Sequence, residues 1–237
     1  MYYLNARVRY SEVDERENLT IVSLINYLQD AAAFHSEEVG RGLSHLTDKN
    51  EGWFITNWQL HIQTLPQYGE EIRISTWAYE MRGMFSKRNF LIENEAGERL
   101  VTGNSIWVLM NLETGKPARI PEAAIEAYRI EPPLDEDWGG RKIRLFDADL
   151  FEKAGEAEVM PVHLDTNRHM NNAYYIEIAR DALPRGKKVF VIRAEYKKPT
   201  TLGDILQIYR ATVDQTTQVE LKNASGETCT VIEFQTD

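Results

Sequence analysis

Apolar residues follow two different spacings along the chain. Between residues 21 and 39 they recur every three or four positions, and Gly40 comes directly after them. This spacing predicts one long amphipathic helix over 21–39 that ends at the glycine. Downstream, alternating or continuously apolar segments are separated by turn residues, which predicts antiparallel strands over 53–62, 72–79, 86–93 and 100–110.

The same order of elements returns in the second half of the chain. A shorter helix is predicted over 172–183, followed by strands over 189–196, 205–213, 218–223 and 228–234. Asp14 and Asp30 of the first copy each have an aspartate 151 residues later in the second copy. Self-similarity on this scale predicts a duplicated domain, with one helix and one antiparallel meander in each copy.

The stretch over 130–140 separates the two copies. It collects proline, glycine and acidic residues after a short predicted helix over 123–128, which is typical of a linker. A helix covered on one face by an antiparallel sheet belongs to the α+β class. We therefore predict two α+β domains, an N-terminal one over 1–130 and a C-terminal one over 153–237, joined by a linker over 131–152.

Charge and composition limit the partners of the protein. Lysine and arginine number 27 against 37 aspartates and glutamates, a formal charge of −10 that opposes binding to nucleic acid or to an anionic membrane. No apolar run approaches the roughly 18 residues that span a bilayer, and residues 1–13 alternate like a strand rather than a signal segment. The single cysteine, Cys229, excludes an intrachain disulfide and a multi-cysteine metal site. These features predict a cytoplasmic protein without a nucleic-acid or membrane partner, and the sequence indicates neither a cofactor nor a metal.

Polar residues crowd between residues 163 and 172, where a predicted strand meets the second helix. If the strand continues, Asp165, Asn167 and His169 alternate onto one side of it. The helix that begins near Asn171 then offers unpaired backbone N–H groups and the positive end of its dipole. Together these groups would supply a base or nucleophile, a proton carrier and an oxyanion site, which acyl transfer requires.

Two other interpretations fit the same residues. Asp and Asn are favoured at helix starts, so the cluster could be a capping network, although capping does not require His169. His163, Asp165 and His169 have the ligand types of a metal site, but no fourth ligand is evident.

Over almost its whole length the chain resembles the plant and bacterial acyl-acyl carrier protein (acyl-ACP) thioesterases, which are built as a double hot-dog fold. The active-site motif of that family is matched by the string Asp165-x-Asn167-x-His169-x-Asn171-Asn172. The first domain of that family is matched by segments 24–32, 65–70 and 105–110. The resemblance implies hydrolysis of the thioester between a fatty acyl chain and the phosphopantetheine arm of ACP, which releases the fatty acid and ends chain elongation.

The resemblance also assigns roles to the motif. Asp165 and His169 would be catalytic with Asn167 assisting, and the helix start at Asn171 and Asn172 would supply the oxyanion site. The first copy keeps the aspartate but lacks the histidine, so it would mainly line the acyl pocket. Attack on the thioester by the carboxylate and activation of water by the carboxylate both remain open.

The chain departs from the plant members at one place. They carry a Glu-Cys pair after a basic strand end, where this chain has Pro199 and Thr200. Cys229 lies in the last predicted strand, so the resemblance offers no cysteine nucleophile. This departure favours Asp165 acting with His169.

Two other functions share these residues. A hot-dog thioesterase acting on acyl-CoA would use the same catalytic groups, and a non-catalytic sensor would bind the acyl thioester without cleaving it. The presence of Asp165, Asn167 and His169 favours an enzyme. Two copies in one chain can form the paired unit of this fold, so a monomer and a homodimer are both expected possibilities.

Overall fold

A computed structural model describes residues 1–184 and 186–237. Proximity of Cα atoms divides the chain into two compact units. The first unit contains residues 1–56 and 62–138, and the second contains residues 57–61 and 139–237. Within the described ranges, no helix is both long enough and apolar enough to cross a membrane.

The first unit is a long helix packed on an antiparallel sheet. Its elements in chain order are β1 (Tyr2–Arg7), α1 (Ile21–Glu38), α2 (Leu43–Asp48), β2 (Glu51–Ile62), β3 (Glu71–Arg82), β4 (Phe85–Asn94), β5 (Arg99–Asn111), β6 (Lys116–Pro117) and α3 (Glu122–Tyr128). The strand order is β1-β3-β4-β5-β2, with β6 beside β5. The predicted helix and four strands are confirmed. The predicted meander holds for β3 to β5, whereas β2 lies beyond β5.

The second unit repeats this topology. Its elements are β7 (Glu152–Glu158), α4 (Asn172–Asp181), β8 (Val189–Tyr196), β9 (Ile205–Val213), β10 (Thr216–Lys222) and β11 (Thr228–Thr236). The strand order is β8-β11-β10-β9-β7, and residues 57–61 of β2 pair with β8. Every strand takes the place of its counterpart in the first unit, which confirms the predicted repeat and the α+β double hot-dog class. The sequence pattern missed β7 because this exposed edge strand has no apolar alternation.

The connection between α3 and the second unit is irregular but hydrogen-bonded to both sheets. In the first unit, the buried Asn89 side chain accepts a bond from the Leu134 N–H at 2.9 Å. In the second unit, the buried Gln218 side chain accepts a bond from the Phe146 N–H at 2.9 Å. These bonds satisfy buried amides that would otherwise destabilise the sheets. The prolines and glycines that predicted a linker therefore belong to a connection held by side chains of the strands.

A buried arginine lies between α1 and the sheet of the first unit. Arg88, on β4, is 5% exposed, and its guanidinium lies 5.5 Å from the centre of the Tyr128 ring. Its Nη1 donates to His35 Nδ1 at 2.9 Å and to Thr76 Oγ1 at 3.2 Å. Burial lowers the pKa of His35 to about 3, and the positive charge of Arg88 contributes to the same shift. The imidazole is therefore neutral at pH 7 and accepts the arginine bond.

The neutral His35 is expected to make the protein less stable in acid. An unfolded imidazole binds a proton below its usual pKa of about 6.5, whereas the folded His35 does so only near the lowered pKa of about 3. The contribution of His35 to the free energy of unfolding is full above the pKa of the unfolded state. It declines as the pH falls toward the pKa of the folded state, by up to about 1.4 kcal/mol per pH unit. Urea unfolding between about pH 7 and 5 should show a shallower decline for His35→Gln than for the wild type. Equal slopes would contradict this assignment.

Candidate active site

The motif residues lie on a tight loop between the end of a short 3₁₀ turn and α4. Leu164 and Met170 pair as an antiparallel bridge, and the loop between them is closed by a bond from the Asp165 N–H to the His169 carbonyl at 2.8 Å. Arg168 has a φ of 62°, in the left-handed region. The predicted strand alternation over residues 165–169 is therefore wrong. The physical reason is that the aspartate side chain supplies acceptors locally and favours a turn over an extended strand.

The two oxygens of the Asp165 carboxylate have different environments. Oδ1 accepts the backbone N–H groups of Asn167 at 2.8 Å and His169 at 3.2 Å. Oδ2 accepts no hydrogen bond from the described part of the chain. One oxygen thus shapes the loop, and the other is available for chemistry.

The other two predicted side chains differ in exposure. His169 Nδ1 is buried and has no hydrogen-bond partner among the residues that the structure describes. The Asn167 side chain is exposed, and its carboxamide bonds to none of these residues. The structure therefore joins Asp165 to the backbone of both residues and places the Asn167 carboxamide at the surface.

The start of α4 is capped by the residue before it, Asn171. Asn171 Oδ1 accepts the Ala173 N–H at 3.0 Å, and the Asn171 carbonyl accepts the Tyr174 N–H at 3.0 Å. The Asn172 N–H, the first of the helix, has no acceptor in the described ranges. This backbone donor, at the positive end of the helix dipole, is thus available to a developing negative charge.

The first unit contains the same loop without the histidine. Asp14 Oδ1 accepts the N–H groups of Arg16 at 2.9 Å and Asn18 at 3.0 Å, and Glu17 has a φ of 63°. The capping interpretation therefore holds for Asn171, which caps α4, whereas the Asp14 and Asp165 carboxylates close their loops and cap no helix. The loop does not need a histidine to form, so the role of His169 must be sought elsewhere.

Three polar side chains that the sequence analysis left without a role pack beneath the loop. Tyr175 on α4 and Thr200 after β8 are each 2% exposed, and their hydroxyl oxygens lie 2.7 Å apart. Thr200 also accepts the Met170 N–H at its carbonyl, at 2.9 Å. Tyr196, on β8, donates to the Asn172 carbonyl at 2.9 Å. Burial raises the pKa of Tyr175 to about 12 and also raises the pKa of Tyr196, so both phenols are neutral donors.

The metal interpretation finds no support in the geometry. Across residues 1–184 and 186–237, no three histidine, cysteine, aspartate or glutamate side chains are grouped so that they could hold a metal ion. His163 Nδ1 accepts the Met160 N–H at 3.0 Å, and the His163 ring packs against Tyr174 with centroids 4.8 Å apart. His163 therefore closes the turn that precedes the loop.

The thiol of Cys229 is buried in the sheet of the second unit. The residue lies on β11 and is 1% exposed. Burial raises the pKa of the thiol, which keeps it protonated at neutral pH. A protonated buried thiol is a poor nucleophile.

Cys229→Ser is expected to leave kcat/KM unchanged within about twofold, because an inert buried thiol takes no part in turnover. The same change should lower the free energy of unfolding by about 1–3 kcal/mol, because a buried hydroxyl costs more to desolvate than a thiol. Turnover per folded molecule, with the folded fraction measured by circular dichroism, tests this expectation. Lost turnover in a folded variant would show that the thiol takes part in the reaction.

Models of two domain families match the chain. The acyl-ACP thioesterase N-terminal domain matches residues 1–128, and the acyl-ACP thioesterase C-terminal domain matches residues 142–235. Among curated proteins, the chloroplastic palmitoyl-acyl carrier protein thioesterase of Gossypium hirsutum is 26% identical over 230 residues, which cover 90% of this chain and 55% of that protein. The chain spans about half the length of the curated relatives it matches.

Two solved structures share the whole fold. An acyl-ACP thioesterase from Bacteroides thetaiotaomicron has a TM-score of 0.90 at 22% identity and covers 99% of this chain and 97% of its own. A 12:0-ACP thioesterase from Umbellularia californica has a TM-score of 0.85 at 19% identity and covers 100% of this chain and 96% of its own. These likenesses establish the fold. Because the two domain models match most of its length, one in each half, the chain belongs to the acyl-ACP thioesterase family.

Proposed function

We propose that the protein hydrolyses the thioester of a fatty acyl chain on acyl carrier protein, releasing the free fatty acid and the carrier thiol. The observation that carries this proposal is the difference between two matching aspartate loops. Both are closed by the same backbone bonds, but only the second holds a histidine, at position 169, next to a helix start with an available N–H. Family membership supports the substrate class, since the matched relatives are named as acyl-ACP thioesterases.

Asp165 would act through Oδ2, because Oδ1 is held by two backbone N–H groups. In one route Oδ2 takes a proton from a water molecule whose oxygen attacks the thioester carbonyl carbon. In the other, Oδ2 attacks that carbon and water then cleaves the resulting anhydride. Both routes break the carbon–sulfur bond and deliver a proton to the leaving sulfur, so the products are the same.

Three neighbours of Asp165 complete the proposed mechanism. The backbone N–H of His169 is bonded to the same carboxylate. The imidazole of His169 would carry the proton to sulfur. The Asn172 N–H would donate to the oxygen of the tetrahedral intermediate, where the helix dipole favours negative charge. Asn167 would assist from the surface, where its exposed carboxamide can bond to the substrate arm.

The proposed substrate makes acyl carrier protein the partner. A cytoplasmic location, and a monomeric or homodimeric state, remain predictions from the sequence. Light scattering during gel filtration measures the oligomeric state directly.

Thiol release from a panel of acyl-ACPs of about eight to eighteen carbons tests the proposal, with the matching acyl-CoAs as control arms. Turnover that prefers ACP at some chain length would support it. A clear preference for the CoA series would instead identify an acyl-CoA thioesterase. Measurable binding without thiol release in either series would identify a non-catalytic sensor.

A further inference from the structure

The buried hydroxyls of Tyr175 and Thr200 belong to one local hydrogen-bond network. The Thr200 N–H donates to the phenol oxygen at 2.9 Å, and the Thr200 hydroxyl is directed to Met170 Sδ at 3.6 Å. The two hydroxyl oxygens lie 2.7 Å apart, and either hydroxyl can donate the proton of this bond. Both buried hydroxyls are therefore hydrogen-bonded in the folded protein.

This network fixes the backbone on both sides of the helix cap. Thr200 holds Met170 through the Met170 N–H, and Met170 directly follows His169. Tyr196 holds the carbonyl of Asn172 and stacks edge-on against Tyr175, with ring centroids 5.7 Å apart. The peptide unit that joins His169 to Met170 is thus held at one anchored point, and the residue that carries the Asn172 N–H is held at the other.

The first unit builds the same backbone with apolar side chains. The Leu19 N–H donates to the Pro66 carbonyl at 2.8 Å, which matches the bond between Met170 and Thr200. At the position of Tyr175 the first unit has Leu24, which is fully buried. Apolar residues therefore suffice to form the turn. Burying two hydroxyls in the second unit is unfavourable unless their bonds are made, so their presence calls for a reason other than folding.

We infer that Tyr175 and Thr200 are positioning residues, whose paired hydroxyls hold His169 and the Asn172 N–H in the geometry that thioester hydrolysis requires. This inference rests on the proposed function. Such positioning groups affect the rate because even a small displacement of the reacting atoms slows the reaction by a large factor.

The test compares Tyr175→Phe and Thr200→Val with the wild type in the acyl-ACP assay. Each variant should lower kcat about 10- to 100-fold with KM changed less than about threefold, because substrate binding does not use the pair. The double variant should be no slower than the slower single one, since the two hydroxyls act as one unit. Thr200→Ser keeps the hydroxyl and should restore most of the activity. Tyr209→Phe is the matched control, since it removes a hydroxyl bonded to Gln207 on β9 and should leave kcat unchanged.

Hydrogen exchange of backbone amides over residues 163–174 gives a second, activity-independent measurement. Exchange should be faster in Tyr175→Phe and unchanged in Tyr209→Phe. If the wild type is active, a normal kcat in Tyr175→Phe would overturn the inference. A change in Tyr175→Phe that is confined to KM would also overturn it. A wild type inactive on every thioester would overturn the proposed function instead, and unaltered exchange in Tyr175→Phe would then overturn the positioning role separately.

Discussion

Replacing Asp165 with asparagine is expected to lower kcat for acyl-ACP hydrolysis at least about 100-fold, the scale of a lost general base or nucleophile. The asparagine keeps an oxygen at Oδ1 that can accept the N–H groups of Asn167 and His169, so the loop should remain folded. It removes the negative charge and the basicity at Oδ2. Asp165→Asn therefore separates the chemical role of the carboxylate from its structural role, which alanine would remove together with the charge.

Asp14→Asn is the matched control for this change. Asp14 accepts two backbone N–H groups in the corresponding loop of the first unit, so the structural cost of the two substitutions should be equal. Each should lower the free energy of unfolding by about 1–2 kcal/mol, since two neutral acceptor bonds replace two charge-assisted ones. Only Asp165→Asn should lose turnover. Near-normal kcat in Asp165→Asn, or an equal loss in both variants, would refute the catalytic assignment.

His169→Asn by itself is also expected to lower kcat at least about 100-fold, the scale of a lost general acid–base group. Asparagine is the residue that the first unit carries at this position of the loop, where Asn18 donates its N–H to the aspartate. The substitution therefore keeps a side chain that this loop accepts and removes the imidazole. KM should change little, because the lost group carries a proton rather than binding the chain.

His45→Asn serves as the control for His169→Asn. His45 lies on α2 of the first unit, where its ring contacts Arg41 at 3.0 Å. This variant should keep full activity. Turnover of His169→Asn within a few-fold of the wild type would assign His169 to packing, and the proton for the leaving sulfur would then have to come from water.

The sequence pattern predicted most elements because their signals are local. The helix over α1 follows from apolar residues at three- and four-residue spacing, and eight of its residues are buried. The exposed strand β7 has no such signal, and its place at the edge of the sheet depends on pairing with β9. Local patterns therefore identify the elements that bury a face and miss those that do not.

The candidate site was predictable in part for the same reason. Asp165, His169 and Asn171 are close along the chain, so their joint appearance is visible in the sequence. Their geometry was not, because the turn depends on a side-chain oxygen that takes two backbone N–H groups.

The sequence by itself determined the duplicated α+β organisation, the position of the polar motif and the asymmetry between the two aspartate loops. The tertiary structure alone decided which oxygen of Asp165 and which N–H of α4 remain available, and that Thr200 meets a tyrosine 25 residues away. The physical reason is that residue type and local period specify secondary structure, whereas hydrogen-bond availability depends on which distant groups the folded chain brings together.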